Sequence, residues 1–288
     1  MRLQTIDDGL RAAMSDMTRT ERQLASHMLG NFPRSVLGSV AEIAQAAGVS
    51  APTVVRLVRK IGYSGYPEFR AAVHEEMGER LASPIAKHEK WADLEPADHT
   101  LNRFATSIID NLSQTLSQQD IRTFDTIAEI LADKSRPVHL IGGRLTHSVA
   151  SYFATALHVM RKDITLMSGM PNTWPPTLLE MSPRSVLVVF DIRRYEPSIQ
   201  QFVELARSQG AEIILFTDTW VSPVAQHSQH ILTSRVEVPS AWDSIVPIVG
   251  LVEALLSAIQ ANNWEDTRAR LDQMESFYDQ MRLFRPSR

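Results

Sequence analysis

Residues 39–70 read SVAEIAQAAGVSAPTVVRLVRKIGYSGYPEFR, and the signals along them run helix, tight turn, helix, short aromatic wing. Ser39 and Glu42 have the spacing of a capping box, in which each residue satisfies a backbone N–H of the other. Val40, Ile43 and Ala47 make one helix face apolar, and Gly48 stands where a helix commonly ends in a left-handed residue. Ser50 is placed to cap the next helix, with Pro52 in its first turn, where a missing N–H matters little. In that second helix Val54, Leu57, Val58 and Ile61 face inward. Thr53, Arg56 and Lys60 share another face, with Arg59 beside them. This is the layout of a helix-turn-helix that puts one helix in a DNA major groove. The expected DNA-binding residues are Ser50, Thr53, Arg56, Arg59 and Lys60, the basic ones reaching guanine edges or phosphates. The competing reading is a helical hairpin with a solvated basic face. Tyr63 and Tyr66 read as packing for the wing in preference to base stacking.

Composition sets the frame around this stretch. A chain of 288 residues suits two domains, and 44% hydrophobic with 22% charged residues is ordinary globular composition. The chain has no cysteine, which excludes a disulfide framework, a thiolate metal site and a cysteine nucleophile. No metal or cofactor is expected. No apolar run approaches the ~20 residues of a membrane span, so no membrane partner is expected. The start, MRLQTIDDGLRAAM, is acidic and amphipathic, unlike a signal peptide, so the expected compartment is the cytoplasm.

The net charge of −4 is unevenly spread. Residues 1–80 carry ten Lys+Arg against nine Asp+Glu, and the remainder nineteen against twenty-four. Within residues 50–70, Arg56, Arg59, Lys60 and Arg70 face only Glu68. The positive charge sits on the reading helix, but one module with so few phosphate contacts binds weakly. Two or more copies are therefore expected to act together, as a homodimer or homotetramer on a roughly palindromic duplex.

Outward from this core, Ile6, Leu10, Ala13 and Met17 give a short amphipathic helix. Thr18 with Glu21 opens a second one with Leu24, Met28 and Leu29 inward, closed by Pro33. Residues 68–80 continue as a helix, and 82–99, with two prolines, several charges and no sustained period, read as a linker. Helical stretches at 101–117 and 120–133 then lead into short apolar runs at 137–143, 164–167, 185–190, 211–217 and 231–233, mostly separated by helical pattern. That alternation predicts an open parallel sheet covered on both faces, with its ligand site outside the carboxyl ends of the strands. Two helices around 242–262 and 264–284 complete the chain. The last carries Leu271, Met274, Phe277, Tyr278 and Met281, which suit packing on its own domain or an interface between copies.

The span from Met17 to Phe69, including TRTERQLASHML, GVSAPTVVRLVRKIGYSGYPEF and the Gly62-Tyr63-Ser64-Gly65-Tyr66 turn, resembles the N-terminal domain of RpiR-type bacterial transcriptional regulators. LIGGRLTHSVASYFATAL at 140–157 and the run at 186–218 resemble a sugar isomerase (SIS) domain, the phosphosugar-binding partner usually found behind such a DNA domain. The implied architecture is an all-α helix-turn-helix domain at 1–81, the linker at 82–99, and an α/β SIS-like domain at 100–288 whose central parallel sheet is flanked by helices. Two motifs depart from the family pattern. Its first loop runs Gly-x-Gly-x-Ser, whereas here it reads Gly142-Gly143-Arg144-Leu145-Thr146. Its second runs Ser-x-Ser-Gly-x-Thr, a hydroxyl and N–H cradle for phosphate. Here that run is Asp191-Ile192-Arg193-Arg194-Tyr195-Glu196, with Pro197 and Ser198 opening the next helix.

Arginines in place of one serine and two glycines point to bidentate, charge-assisted binding of a carboxylate or phosphate. The expected ligand-binding residues are Gly142, Gly143, Arg144, Thr146, His147, Asp191, Arg193, Arg194 and Glu196, with Ser148, Thr217 and Asp218 in second rank. The alternative for Arg193 and Arg194 is a structural ion-pair network with Asp191 and Glu196. Ser222 with Pro223 reads as a helix start, and Trp174-Pro175-Pro176 as a packed loop in preference to a lid. Together these residues predict a DNA-binding transcriptional regulator controlled by a small anionic metabolite. The rival is a sugar-phosphate isomerase-like enzyme, for which His147, Glu196 and Glu253 are the conceivable bases, none of them in a catalytic motif.

Overall fold

The computed structural model describes residues 6–30, 34–36, 38–81, 84–85, 87–88 and 99–284. These fall into two compact units divided between residues 86 and 87. Pro33 and most of the expected linker at 82–99 lie outside the described residues.

The first unit is all helical: α1 (Ile6–Ala12), α2 (Arg19–Gly30), α3 (Val40–Ala47), α4 (Ala51–Lys60) and α5 (Tyr66–Leu81). Both capping boxes form. The Glu42 N–H donates to Ser39 Oγ at 3.3 Å and the Ser39 N–H to Glu42 Oε2 at 2.6 Å. Thr18 and Glu21 make the same exchange at 2.9 and 3.4 Å. Gly48 ends α3 at φ 66°, a left-handed conformation that sets the tight turn and costs a side-chain-bearing residue roughly 1 kcal/mol or more. Leu24, Met28, Ile43, Val54, Leu57, Val58 and Phe69 are buried together and fix the angle between α3 and α4. The aromatic residues form a turn and not a wing: α5 begins at Tyr66 itself. Tyr63 and Tyr66 pack on Phe69 with ring centroids 5.4 and 6.0 Å away, and the Tyr66 hydroxyl donates to the Gly38 carbonyl.

The second unit opens with α6 (Thr100–Ser117) and α7 (Ile121–Ala132), then alternates β1 (Val138–Gly142), α8 (His147–Met160), β2 (Ile164–Leu166), α9 (Pro175–Glu180), β3 (Val186–Phe190), α10 (Pro197–Ser208), β4 (Glu212–Asp218) and β5 (His230–Ser234). All strand pairs are parallel, in the order β2-β1-β3-β4-β5. Alternate residues of β3 show why both faces are covered. Val186, Val188 and Phe190 enter the core under α7, α8 and α11 (Val246–Asn262), whereas Leu187 and Val189 enter the core under α10.

The helix expected to begin near 242 begins at Val246, because Pro247 fits only its first turn and Ser244 Oγ receives the Val246 N–H at 3.3 Å. The last helix, α12 (Trp264–Met281), is tied to α8 by Arg270, which donates to the His158 carbonyl at 2.9 Å. Of its expected apolar residues, Leu271, Met274 and Tyr278 are half-buried, whereas Phe277 and Met281 are exposed. Trp174 packs edge-on against Phe202 and donates its indole N–H to the Ser168 carbonyl, so its segment is a packed loop.

Candidate functional site

On α4, Ser50, Arg56, Arg59 and Lys60 are exposed and Thr53 is buried. The expectation that Thr53 is among the DNA-binding residues is therefore corrected. Its hydroxyl lies 2.8 Å from Ser50 Oγ and 3.3 Å from Arg56 Nη2, so it orients its neighbours from inside the helix. Ser50 holds the N-cap position but spends its hydroxyl on Thr53 and not on a backbone N–H. Lys60 is tied down as well. Its ammonium meets the buried Glu21 carboxylate at 2.7 Å and the Asp16 carbonyl at 2.9 Å, and this contact holds Glu21 below the usual carboxylate range. Arg59 Nε donates to the Ser64 carbonyl at 3.2 Å and keeps its remaining donors outward. The outward basic pair on α4 is thus Arg56 and Arg59.

In the second unit, the strand order reverses between β1 and β3, and a doubly wound sheet offers its crevice at that switch point. The two motif loops leave β1 and β3 there, with Gly142 paired to Phe190. A Cβ on Gly142 would lie 2.7 Å from the backbone of Thr146 and His147, so only glycine allows the loop to fold back onto its helix. Thr146 is buried, and its hydroxyl donates to the Phe190 carbonyl at 2.7 Å, pinning one loop to the other strand. Glu196 comes up from the second loop to accept the Arg144 N–H at 2.7 Å. Gly143 leaves room for that carboxylate, since a Cβ there would lie 2.8 Å from it. His147 sits at the first turn of α8, its N–H donating to the Gly143 carbonyl at 2.7 Å.

The acidic residues are occupied by neighbours. Asp191, buried at the end of β3, accepts from the Ser222 hydroxyl and from the Glu196 N–H. Burial pushes its carboxyl up to about 7, with the Asp218 and Glu196 charges adding to the effect. Asp218 at the end of β4 is buried and accepts from the Arg193 N–H at 2.6 Å, the Tyr195 hydroxyl at 2.8 Å and the Trp220 N–H at 2.9 Å. Burial raises its pKa too. For Asp191 the sign is plain: a carboxyl raised in the fold favours folding below its unfolded value of 3.8, and that contribution is lost as pH rises through about 7. Asp191→Asn is expected to flatten the decline in melting temperature between pH 5 and 8, removing about 3 kcal/mol of pH-dependent destabilisation over that range. Parallel melting curves for both proteins across that range would contradict it.

The arginines divide. Arg193 is buried, its guanidinium 3.7 Å over the Trp220 ring and within 3.8 Å of Glu237 and 3.6 Å of Asp243. It joins an ion-pair network, but with these two residues and not with Asp191 or Glu196. Arg144 and Arg194 are exposed. Arg144 stands 5.9 Å over the Trp242 ring, and Arg194 adopts φ 62° at the tip of its loop. Sequence reading missed Trp220, Glu237, Trp242, Asp243 and Lys87, which reach the site from far along the chain and carry no motif. It read Ser222 as a helix start. Ser222 Oγ does accept the Val224 N–H at 3.1 Å, but the same hydroxyl also donates to Asp191. Of the conceivable bases, Glu196 is engaged by the first loop and Glu253 accepts from the Tyr152 hydroxyl at 3.2 Å.

A helix-turn-helix unit is thus followed by a doubly wound sheet whose two motif loops meet at its switch point. Residues 5–80 match the helix-turn-helix domain of the rpiR family, and residues 130–258 match the SIS domain. The chain therefore belongs to the RpiR-type transcriptional regulators. It is 27% identical over 85% of its length to the HTH-type transcriptional regulator HexR of Pseudomonas aeruginosa, covering 84% of that protein. Among solved structures it is similar in fold to the sugar isomerase domain of an RpiR transcription factor from Sphaerobacter thermophilus, with TM-score 0.58 and 23% identity over 62% of this chain and 99% of that one. It is also similar in fold to the Vibrio vulnificus NanR protein complexed with ManNAc-6P, with TM-score 0.56 and 19% identity over 94% of this chain and 97% of that one. Among the described residues, no single helix is long and apolar enough to cross a membrane.

Proposed function

We propose that this regulator binds a duplex operator through α4, as a homodimer or homotetramer in the cytoplasm, and that a small anionic metabolite at the β1/β3 switch point controls the binding. The observation that carries the reading is the pair Arg144 and Arg194. They are exposed guanidinium groups on loops that leave neighbouring strands, and among the described residues no carboxylate lies within ion-pair distance of either. Such a pair suits a phosphate or carboxylate through bidentate bonds. The metabolite is a sugar phosphate, a sugar acid or another organic acid, and the ManNAc-6P complex of NanR supports the first. DNA contact falls to Arg56 and Arg59, with Ser50 beside them. The protein is a switch and not an enzyme. The ligand shifts the balance between two arrangements by its differential affinity, typically ~1–3 kcal/mol.

The test is a thermal-shift screen of the purified chain against sugar phosphates including ManNAc-6P, sugar acids and dicarboxylates. It is repeated on Arg144→Ala combined with Arg194→Ala. A ligand present at one hundred times its dissociation constant is expected to add about 2.7 kcal/mol of stability, a gain the double variant loses while melting normally without ligand. A ligand that stabilises both proteins equally would place the anion elsewhere.

A further inference from the structure

Lys87 is the first residue of the second unit in chain order, and it is a lysine only 4% exposed. A buried ammonium requires a partner, and Lys87 Nζ donates to Asp243 Oδ1. The other oxygen of the same carboxylate, Oδ2, lies 3.6 Å from Arg193 Nε, so Asp243 bridges two buried cations. Glu237 approaches Arg193 from the other end of the same short segment, at 3.8 Å. Trp242, the residue before Asp243, is 52% exposed and lies under the Arg144 guanidinium. One segment thus touches the exposed arginine of the anion site with one residue and the buried lysine with the next.

We propose that residues 237–243 are a relay: an anion that draws Arg144 off Trp242 loosens Asp243 and releases Lys87, changing how the chain between the two units is held. The proposal rests on the reading that the anion binds at Arg144 and Arg194. Exchange at Arg144 is favourable, because a solvent-exposed cation–π contact is weak and a charge-assisted bidentate bond is strong. The response at Lys87 follows because an ammonium that loses its carboxylate is left as an uncompensated buried charge, which favours its leaving the interior. These two features give the relay the discrete pair of arrangements that coupling between sites requires.

The experiment is limited trypsin digestion of the full chain, with cleavage after Lys87 followed by mass spectrometry. Trypsin reaches that bond only when the lysine and its backbone leave the fold, so the rate reports the released population. Wild type is digested with inorganic phosphate, with ManNAc-6P, and with sodium chloride at matched ionic strength. Asp243→Asn is digested under the same three conditions, and Asp243→Ser replaces it if the asparagine variant does not fold.

Asp243→Asn is expected to speed cleavage after Lys87 about tenfold or more, and the anions to speed it in wild type but add nothing in the variant. Unchanged cleavage in the folded variant overturns the relay. So does an anion that raises the wild-type melting temperature yet leaves cleavage unchanged, and in that case the anion site stands without the relay. If neither anion moves the melting temperature or the cleavage rate, while the variant still cleaves faster, the strap holds Lys87 but the anion reading fails, and the proposed release falls with it.

Discussion

Replacing Arg56 and Arg59 together by alanine is expected to weaken operator binding by about a hundredfold or more, each contact being worth roughly 1–3 kcal/mol at a base edge. Both side chains are exposed on α4, so the unit folds without them. The salt dependence should fall in step, because each lost phosphate contact lowers the slope of log affinity against log salt by about one. Lys60→Ala provides the contrast. Its ammonium is bonded to Glu21 and to the Asp16 carbonyl, so its removal strands a buried carboxylate and lowers the melting temperature more than it lowers DNA affinity. The measurement is fluorescence anisotropy with a duplex selected by the wild-type chain, repeated over a salt series. A double variant that binds as tightly as wild type would remove α4 from the interface.

Arg193→Ala is expected to destabilise the second unit by about 3–5 kcal/mol, the range found when one member of a buried charge network is deleted. The loss has named parts. Glu237 and Asp243 lose a cation, and the Trp220 ring loses the guanidinium 3.7 Å above it. Asp243 keeps Lys87 as a partner, which holds the effect within that range. Arg144→Ala should lower the melting temperature far less, since its side chain is exposed and, among the described residues, meets only Trp242, at 5.9 Å. Chemical denaturation of the two variants separates a buried, structural arginine from an exposed one. Equal stability for both would contradict the division.

The helix-turn-helix was legible in the sequence because its signals are local. Capping boxes act over three residues, a left-handed glycine over one, and an apolar face over one helical turn. The strands were legible for a similar reason, since β1, β3 and β4 are short apolar runs buried on both faces. The crevice was legible only as a place. The sequence pointed to the loops after β1 and β3, but not to which arginine would turn inward. That choice is made by Trp220, Glu237 and Asp243, which lie 27 to 50 positions from Arg193 and belong to no spacing rule. Thr53 was misjudged for the opposite reason. On the helix surface it neighbours Arg56, but in the folded unit it is buried with its hydroxyl turned to Ser50 and Arg56, and spacing along the helix does not reveal that burial.

The most direct measurement is the affinity of the full chain for its selected duplex as a function of a metabolite that raises its melting temperature. A shift of roughly 5- to 150-fold is expected in wild type, in one direction and saturating with the thermal response, and none in Arg144→Ala combined with Arg194→Ala. An operator affinity that stays constant while the metabolite saturates the protein would contradict ligand control, leaving a DNA reader whose second unit binds without consequence.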